Sequence, residues 1–305
     1  MEIFLTSEFR KTILGVYRER GEVWLYNLPN ILERFAKKWG VVLGEPFPLS
    51  FNFVISATTE FGLPVVLKAG VPDRENSMQI DALRIYDGNG IVRLLDFDYE
   101  ECVMLLECVQ PGTTLKSELR EENDDLATEI VAGVMKKLWQ PLPDNHNTRT
   151  LESWTEGVLE IRPHFGGGTG PLPKILVDRA ISLHADLLAS AGSPYLLHGD
   201  LHHENILRAT REPWLAIDPN GVAGDRAFDV CSLLMNPLPD FLNWSNPKKR
   251  VHRRIEILSE ILEIDAKRLK EWGVVYSVLS AWWSIGDGMD GWEPTIAIGE
   301  LIGTN

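Results

Sequence analysis

Apolar positions follow two different spacings along the chain, and the change between them predicts its elements. The first forty residues have helical spacing, with Asn30 three residues before Glu33 as a cap-like helix start and Gly40 as a helix end. Short β-rich runs then follow at residues 51–57, 64–69, 91–95 and 103–106. One helical segment, residues 75–86, lies between the second and third runs. This stretch is therefore expected to form a small sheet with one internal helix.

After Pro111-Gly112 the helical spacing returns and continues to the end of the chain. Two short apolar runs, residues 195–197 and 214–217, are exceptions and predict strands. We therefore divide the chain into an N-terminal unit of residues 1–109 and a larger, mainly helical C-terminal unit of residues 110–305. The predicted fold class is α+β.

The charge balance excludes two classes of partner. The chain has 30 Lys and Arg against 44 Asp and Glu, a net charge of −14, so we expect neither a nucleic-acid nor an anionic membrane partner. A cationic small molecule, in contrast, would be attracted. The longest uncharged run, Trp272–Gly286, has 15 residues, fewer than the ~20 that a spanning helix needs. The three cysteines form no C-x-x-C pair, and together these features predict a cytoplasmic protein.

The most informative stretch begins at His198, where H-x-D-x-x-x-x-N places Asp200 five residues before Asn205. Asp218 follows at the end of the next apolar run. Phosphoryl transfer needs a carboxylate that accepts the proton of the attacking hydroxyl, and Asp200 is the candidate. Mg²⁺ prefers oxygen ligands, which Asn205 and Asp218 supply. We expect His198 to pack and hydrogen-bond inside the loop rather than to bind a metal with the histidines that follow it.

The first unit offers the complementary parts of a nucleotide site. The apolar run 65–67 ends at Lys68, which is the position expected for a lysine that contacts the phosphates of ATP. Residues 105–112 are candidates for the segment that presents backbone groups to adenine, and they include Glu107 and Val109. The order of these parts along the chain favours ATP and Mg²⁺ as cofactors.

Residues 197–207 and 214–219 resemble the aminoglycoside phosphotransferases of the streptomycin 6-kinase type, a family that includes hydroxyurea phosphotransferases. Further segments resemble it at residues 87–95, 170–173, 224–230 and 279–284. The resemblance implies a bilobal, protein-kinase-like fold with a small antiparallel-sheet lobe, and ATP-dependent O-phosphorylation. It also implies roles for five residues: Asp200 as base, Asn205 and Asp218 as magnesium ligands, Lys68 at the phosphates and Asp229 as a brace for the catalytic loop.

The chain departs from the family pattern in the nucleotide-binding part. The loop 49–54 has no glycine, so Ser50, Asn52 and backbone amides would have to cover the phosphates. The helix partner of the phosphate lysine is usually Glu, but the position here is Gln79. Glu75 lies one helical turn earlier and is the alternative partner.

The sequence leaves three functions open. The first is a kinase of an aminoglycoside or similar cationic molecule, with candidate acceptor contacts at Asp225, Trp282, Asp287 and Glu293. The second is a kinase of an endogenous small alcohol, which the catalytic residues do not distinguish from the first. The third is a degenerate kinase fold that binds without catalysis. The glycine-free loop favours the third function, whereas the retained catalytic residues oppose it.

Overall fold

The computed structural model describes residues 5–143, 146–286, 288 and 290–303. The chain divides into two compact units, with the boundary between Gln110 and Pro111. Across the part of the chain that is described, no helix is long and apolar enough to span a membrane.

The first unit is built on a five-stranded antiparallel sheet in the order β1-β2-β3-β5-β4. Its strands are β1 (Val41–Pro46), β2 (Phe53–Thr59), β3 (Pro64–Ala69), β4 (Leu94–Asp98) and β5 (Val103–Glu107). Its helices are α1 (Ser7–Trp39) and α2 (Arg74–Tyr86). Apolar side chains of α1 and of the central strands form one buried cluster, so burial of this helix stabilises the sheet that carries Lys68.

Helix α1 does not begin where the capping pattern predicted. Asn30 lies inside it, and the break falls at Arg18, whose φ of 51° and ψ of −129° are not helical. The reason is packing: Leu28 and Leu32 are both fully buried and continue one apolar face across Pro29. Burial of that face outweighs the local signal for a helix start. The predicted helix end at Gly40 is present, in the left-handed conformation.

Within its described residues, the second unit is mainly helical and contains two small sheets. Its helices are α3 (Leu115–Glu118), α4 (Asp124–Leu138), α5 (Leu151–Thr155), α6 (Gly157–His164), α7 (Lys174–Ala189), α8 (Cys231–Met235), α9 (Pro247–Leu262), α10 (Ala266–Gly286) and α11 (Glu293–Gly303). Its strands are β6 (Pro111–Thr114), β7 (Gln140–Pro141), β8 (Arg149–Thr150), β9 (Tyr195–Leu197), β10 (Ile206–Ala209), β11 (Trp214–Ala216) and β12 (Val222–Gly224).

The two sheets of the second unit hold the ends of one loop. The first has the order β11-β10-β6 and the second the order β7-β9-β12-β8. The loop 198–205 leaves the second sheet at β9 and enters the first at β10. Its two ends are therefore fixed by backbone pairing in two different sheets, which restricts the loop between them.

Candidate active site

A buried carboxylate fixes the first residues of the loop 198–205. Asp229 Oδ1 accepts the backbone N–H of Gly199 at 2.7 Å, and Oδ2 accepts that of His198 at 3.3 Å. The indole N–H of Trp139 also donates to Oδ2, at 2.9 Å. Asp229 is 1% exposed, and hydrogen bonds to a charged acceptor are strong out of water. Asp229 therefore contacts the loop at its first two positions and limits their movement.

His198 links this loop to the segment that follows β11. Its Nε2 lies 2.8 Å from the carbonyl oxygen of Ile217, and its Nδ1 accepts the backbone N–H of Asp200 at 3.2 Å. Its own carbonyl accepts the N–H of Asn220 at 2.8 Å. Burial lowers the pKa of His198 below its ordinary value, although the charge of Asp229 opposes this. A neutral ring, with one nitrogen donating and the other accepting, fits both contacts.

Gly199 takes a backbone conformation that favours glycine, with φ of +81°. A Cβ atom at this position would lie 2.5 Å from Cζ3 of Trp154, which is on α5. Any larger residue would therefore be strained twice, by its backbone and by the indole ring. The direction of the chain into Asp200 depends on this glycine.

Asp200 presents a partly exposed carboxylate with one oxygen held in place. Its Oδ1 accepts the hydroxyl of Ser232 at 2.6 Å, and its side chain is 40% exposed. Its Oδ2 lies 3.3 Å from Nδ2 of Asn205 and 3.6 Å from Nε2 of His202. Burial alone would raise the pKa of Asp200, but His202 and the Ser232 hydroxyl together hold it below its ordinary value. Asp200 is therefore ionised at neutral pH and able to accept a proton.

Ser232 was not among the residues that the sequence singled out. It lies 32 residues after Asp200, in the short buried helix α8, where a serine among apolar residues carries no motif. The signal that was available is its place three residues after Asp229, on the segment that contacts the loop. The structure adds it as the residue that orients the Asp200 carboxylate.

Asn205 and Asp218 come from neighbouring segments that are tied together. The N–H of Ile217 donates to the carbonyl of Asn205 at 2.9 Å, which holds the residue before Asp218 against Asn205. The Nδ2 of Asn205 donates to the backbone carbonyl of Asp200 at 2.9 Å, so its Oδ1 is the atom available to a cation. Asp218 has φ of 58°, a left-handed conformation that is uncommon for aspartate and recurs at functional sites.

The oxygen donors of Asn205 and Asp218 fit a magnesium ion. Within the described ranges, no group of three or more His, Cys, Asp or Glu side chains is placed to hold a metal ion. Mg²⁺ does not need such a group, because it is usually bound by one or two protein oxygens together with waters and substrate phosphates. An amide oxygen and a carboxylate are hard ligands of this kind.

In the first unit, Lys68 lies on the central strand β3, opposite Val54 and Met104, and is 1% exposed. Both candidate partners lie on α2. Gln79 is 8% exposed, and its Oε1 is buried without a hydrogen-bond partner. Glu75 lies in the exposed first turn of the same helix. Helix α2, which the sequence indicated, therefore carries both candidates: the buried amide oxygen of Gln79 and, one turn earlier, the exposed carboxylate of Glu75.

The remaining residues predicted to contact the nucleotide differ in their burial and in their hydrogen-bond partners. Ser50 is exposed, whereas Oδ1 of Asn52 is buried without a hydrogen-bond partner. That oxygen would lie 2.5 Å from a Cβ atom on Gly70, so the Asn52 amide packs against the backbone of the unit. Glu107 Oε1 accepts the backbone N–H of Arg93 at 2.9 Å. Its backbone N–H also donates to the carbonyl of Arg93, at 3.0 Å. Glu107 therefore joins β5 to the segment before β4, and its role at adenine stays a prediction.

One predicted acceptor contact, Asp225, also has a structural role. Its Oδ2 accepts from Nε of Arg268 at 2.6 Å and from the indole N–H of Trp272 at 2.8 Å. Its Oδ1 accepts the backbone N–H of Ala227 at 3.0 Å. Both oxygens are thus used inside the protein, and the acceptor contact of Asp225 stays a prediction.

The other predicted acceptor contacts have different outcomes. Trp282 is 8% exposed, and its ring packs edge-on against His164, at 5.0 Å between ring centroids, and against Phe165. It also lines a surface cavity together with Glu156 and Glu160, and its role as an acceptor wall stays a prediction. Glu293 is exposed at the start of α11. Asp287 lies outside the described residues.

The comparison with protein families decides the classification. Residues 44–288 match the model of a family described as "Aminoglycoside/hydroxyurea antibiotic resistance kinase". The chain belongs to this family. The resemblance noted from the catalytic segments is thereby confirmed.

Individual members of this kinase family match nearly the whole chain. Streptomycin 6-kinase from Streptomyces glaucescens is 33% identical over 280 residues, which are 91% of this chain and 90% of that protein. Hydroxyurea phosphotransferase from Kitasatospora aureofaciens is 31% identical over 287 residues, which are 92% of this chain and 81% of that protein. The names of these two relatives give different acceptors, streptomycin and hydroxyurea.

Solved structures agree on the fold. The complex of aminoglycoside phosphotransferase APH(4)-Ia with ADP and hygromycin B has a TM-score of 0.59 at 16% identity, covering 90% of this chain and 99% of that one. Choline kinase LicA from Streptococcus pneumoniae has a TM-score of 0.58 at 12% identity, covering 91% and 97%. The predicted kinase-like α+β fold is confirmed.

Proposed function

We propose that this kinase transfers the γ-phosphoryl group of ATP to a hydroxyl group of a cationic aminoglycoside of the streptomycin type. The observation that carries the proposal is the carboxylate of Asp200, which is ionised, partly exposed and held at one oxygen by Ser232. It lies on a loop whose later residue, Asn205, offers a magnesium ligand. A proton acceptor beside a metal ligand is the arrangement that phosphoryl transfer requires.

Asp200 acts on the acceptor. With Oδ1 held by Ser232, Oδ2 is the atom that takes the hydroxyl proton. A bond forms between the acceptor oxygen and the γ-phosphorus as the bond from that phosphorus to ADP breaks. Asp229 and His198 keep the loop in place, so that the carboxylate needs no reorganisation during the reaction.

Each unit supplies its own candidates for nucleotide binding. In the first unit Lys68 is the candidate for phosphate contact, and in the second unit Asn205 and Asp218 would hold Mg²⁺, which supplies neutralisation of the phosphate charge when it is bound. Lys68 suits the role because its long side chain is buried in the sheet and thereby restricted, which lowers the entropy cost of phosphate contact.

Two observations favour a streptomycin-type acceptor. Two of the relatives at 32–33% identity are streptomycin 6-kinases, from Streptomyces glaucescens and Streptomyces griseus. The net charge of −14 also attracts a basic molecule and not a neutral one. Hydroxyurea, which is named for one relative, is neutral and serves as the comparison acceptor.

A panel of acceptors tests this proposal. ADP release from Mg-ATP is measured with streptomycin, other aminoglycosides, hydroxyurea and small alcohols. We expect streptomycin or a close analogue to stimulate ADP release well above the rate without acceptor. Stimulation only by a small neutral alcohol would favour the metabolic kinase, and no stimulation by any compound would favour a binding protein.

The metal ligands predict unequal effects of two substitutions. Asp218→Asn removes a full negative charge, whereas Asn205→Ala removes a neutral amide, so Asp218→Asn is expected to raise the Mg²⁺ concentration for half-maximal rate more. The measurement is a Mg²⁺ titration at fixed ATP, with the exposed Asp186→Asn as matched control. Metal curves that are unchanged in both variants would place the metal elsewhere.

The partner of Lys68 is tested by a pair of variants on α2. If Glu75 positions Lys68, Glu75→Gln is expected to raise the KM for ATP and Gln79→Glu to have little effect. If Gln79 is the partner, Gln79→Ala raises the KM and Glu75→Gln does not. We favour Glu75, because Oε1 of Gln79 accepts no hydrogen bond within the described residues and therefore none from Lys68. An unchanged KM for ATP in all three variants would exclude both partners.

A further inference from the structure

Two tryptophans stack beside the loop that carries Asp200. Trp154 of α5 and Trp283 of α10 have ring centroids 6.0 Å apart and an angle of 25° between their planes. Both rings are half-buried, so each keeps part of its surface accessible. Neither residue was selected from the sequence, and the fold brings them together from distant parts of the chain.

The pair is connected to the loop of Asp200 through Trp154. The Trp154 ring packs directly on Gly199, the residue before Asp200, where a Cβ atom would lie 2.5 Å from the ring. The Trp283 ring meets Tyr276 edge-on, at 6.1 Å between ring centroids. The tryptophan pair therefore lies against the backbone position that precedes the Asp200 carboxylate.

The buried ring of Phe228 packs against Trp154 and against Tyr276, the residue that Trp283 contacts. Phe228 contacts Trp154 at 6.1 Å and Tyr276 at 5.5 Å between ring centroids, and Phe228 is 1% exposed. A ring fixed in this way loses little freedom when a ligand packs on it, which increases the affinity that the contact supplies. Two exposed carboxylates lie on the same segment, Glu152 before Trp154 and Glu156 after it, and they add negative charge.

We propose that Trp154 and Trp283 form the platform on which the acceptor packs while its hydroxyl meets Asp200. This inference rests on the proposed function and adds the chemistry of the acceptor. Accessible indole faces bind planar cations such as guanidinium and the apolar faces of sugar rings. The platform therefore selects a cationic, ring-bearing acceptor such as streptomycin over a small neutral one such as hydroxyurea.

The test compares Trp154→Leu and Trp283→Leu with Trp154→Phe and Trp283→Phe. Each Leu variant is expected to raise the KM for streptomycin about 3- to 10-fold, since such aromatic contacts contribute on that order. The KM for ATP should not change, and the Phe variants should have a KM for streptomycin close to that of the wild type. Trp244→Leu, a half-buried tryptophan that packs on Phe241, is the matched control and should leave both constants unchanged.

Streptomycin binding measured by calorimetry separates this inference from the proposed function. If the wild-type protein binds streptomycin but transfers no phosphoryl group, the proposed function fails, while weaker binding by the Leu variants still supports the platform. Unchanged streptomycin KM and Kd in both Leu variants would overturn the platform. An equal rise in the KM for ATP, or no rescue by Phe, would also overturn it, because a general structural defect would then explain the loss. A wild-type protein that does not bind streptomycin would overturn it as well.

Discussion

Replacement of Asp200 by asparagine is expected to lower kcat for phosphoryl transfer by about 10²- to 10⁴-fold, the usual contribution of a general base. The amide keeps the size of the side chain and its contact with Ser232, but it does not accept the hydroxyl proton. The measurement is steady-state kinetics with streptomycin as acceptor. Mg-ATP affinity should remain nearly unchanged, because Asp200 acts on the acceptor.

Two controls make this result specific. Asp186→Asn changes an exposed aspartate on α7 in the same way and should leave kcat unchanged. The circular dichroism spectrum and Tm of the Asp200 variant should match those of the wild type. A folded Asp200→Asn protein with full activity would refute the assignment of this residue as base.

Asp229→Asn is expected to lower the free energy of unfolding by about 3–5 kcal/mol, as for other buried charges with several hydrogen bonds. An asparagine at this position can accept only on its oxygen, so its NH₂ group faces at least one of the N–H donors of Gly199, His198 and Trp139. The catalytic loop should loosen at the same time, and kcat should fall. Urea unfolding and kinetics on the same preparation measure the two effects.

Asp178, whose side chain is 39% exposed, supplies the comparison for this substitution. It forms ion pairs with Arg162 and Lys174 at the surface, and exposed pairs contribute about 0–1 kcal/mol. Asp178→Asn should therefore cost little stability and leave kcat unaffected. Equal losses of stability in the Asp178 and Asp229 variants would show that the Asp229 contacts do not hold the loop.

The catalytic loop could be predicted from sequence because its chemistry is local. Asp200 and Asn205 lie on one loop, and Asp218 follows two residues after β11, the second strand beyond that loop, so their spacing carries the signal. Ser232 and Trp154 could not be predicted in the same way. Each comes from a separate segment, and only tertiary packing brings them to Asp200 and Gly199.

The tryptophans of α10 show a second limit of prediction from the sequence. The helix is buried on several sides over much of its length, so its apolar spacing does not indicate which face meets the active site. Trp282 and Trp283 are adjacent in sequence but point to different neighbours: Trp282 meets His164, and Trp283 meets Trp154. The sequence indicated Trp282 as an acceptor wall, which stays a prediction, whereas packing on Trp154 is the reason why Trp283 is proposed for the platform.

Helix α1 shows that local capping signals can lose to packing. The Asn30 and Glu33 pair predicted a helix start, but the helix continues through Pro29 because its apolar residues are buried against the sheet. Strand β1 was missed for a related reason: only Val41 of its six residues is buried, so it lacks the apolar run by which the other strands were found.

Mass spectrometry of streptomycin after incubation with Mg-ATP and the protein is the sharpest test of the proposed function. We expect streptomycin to gain the mass of one phosphate with the wild-type protein, and the gain to require both Mg²⁺ and Asp200. The Asp200→Asn protein should give little or no product in the same time. Streptomycin of unchanged mass after complete incubation, or equal phosphorylation by wild-type and Asp200→Asn proteins, would contradict it.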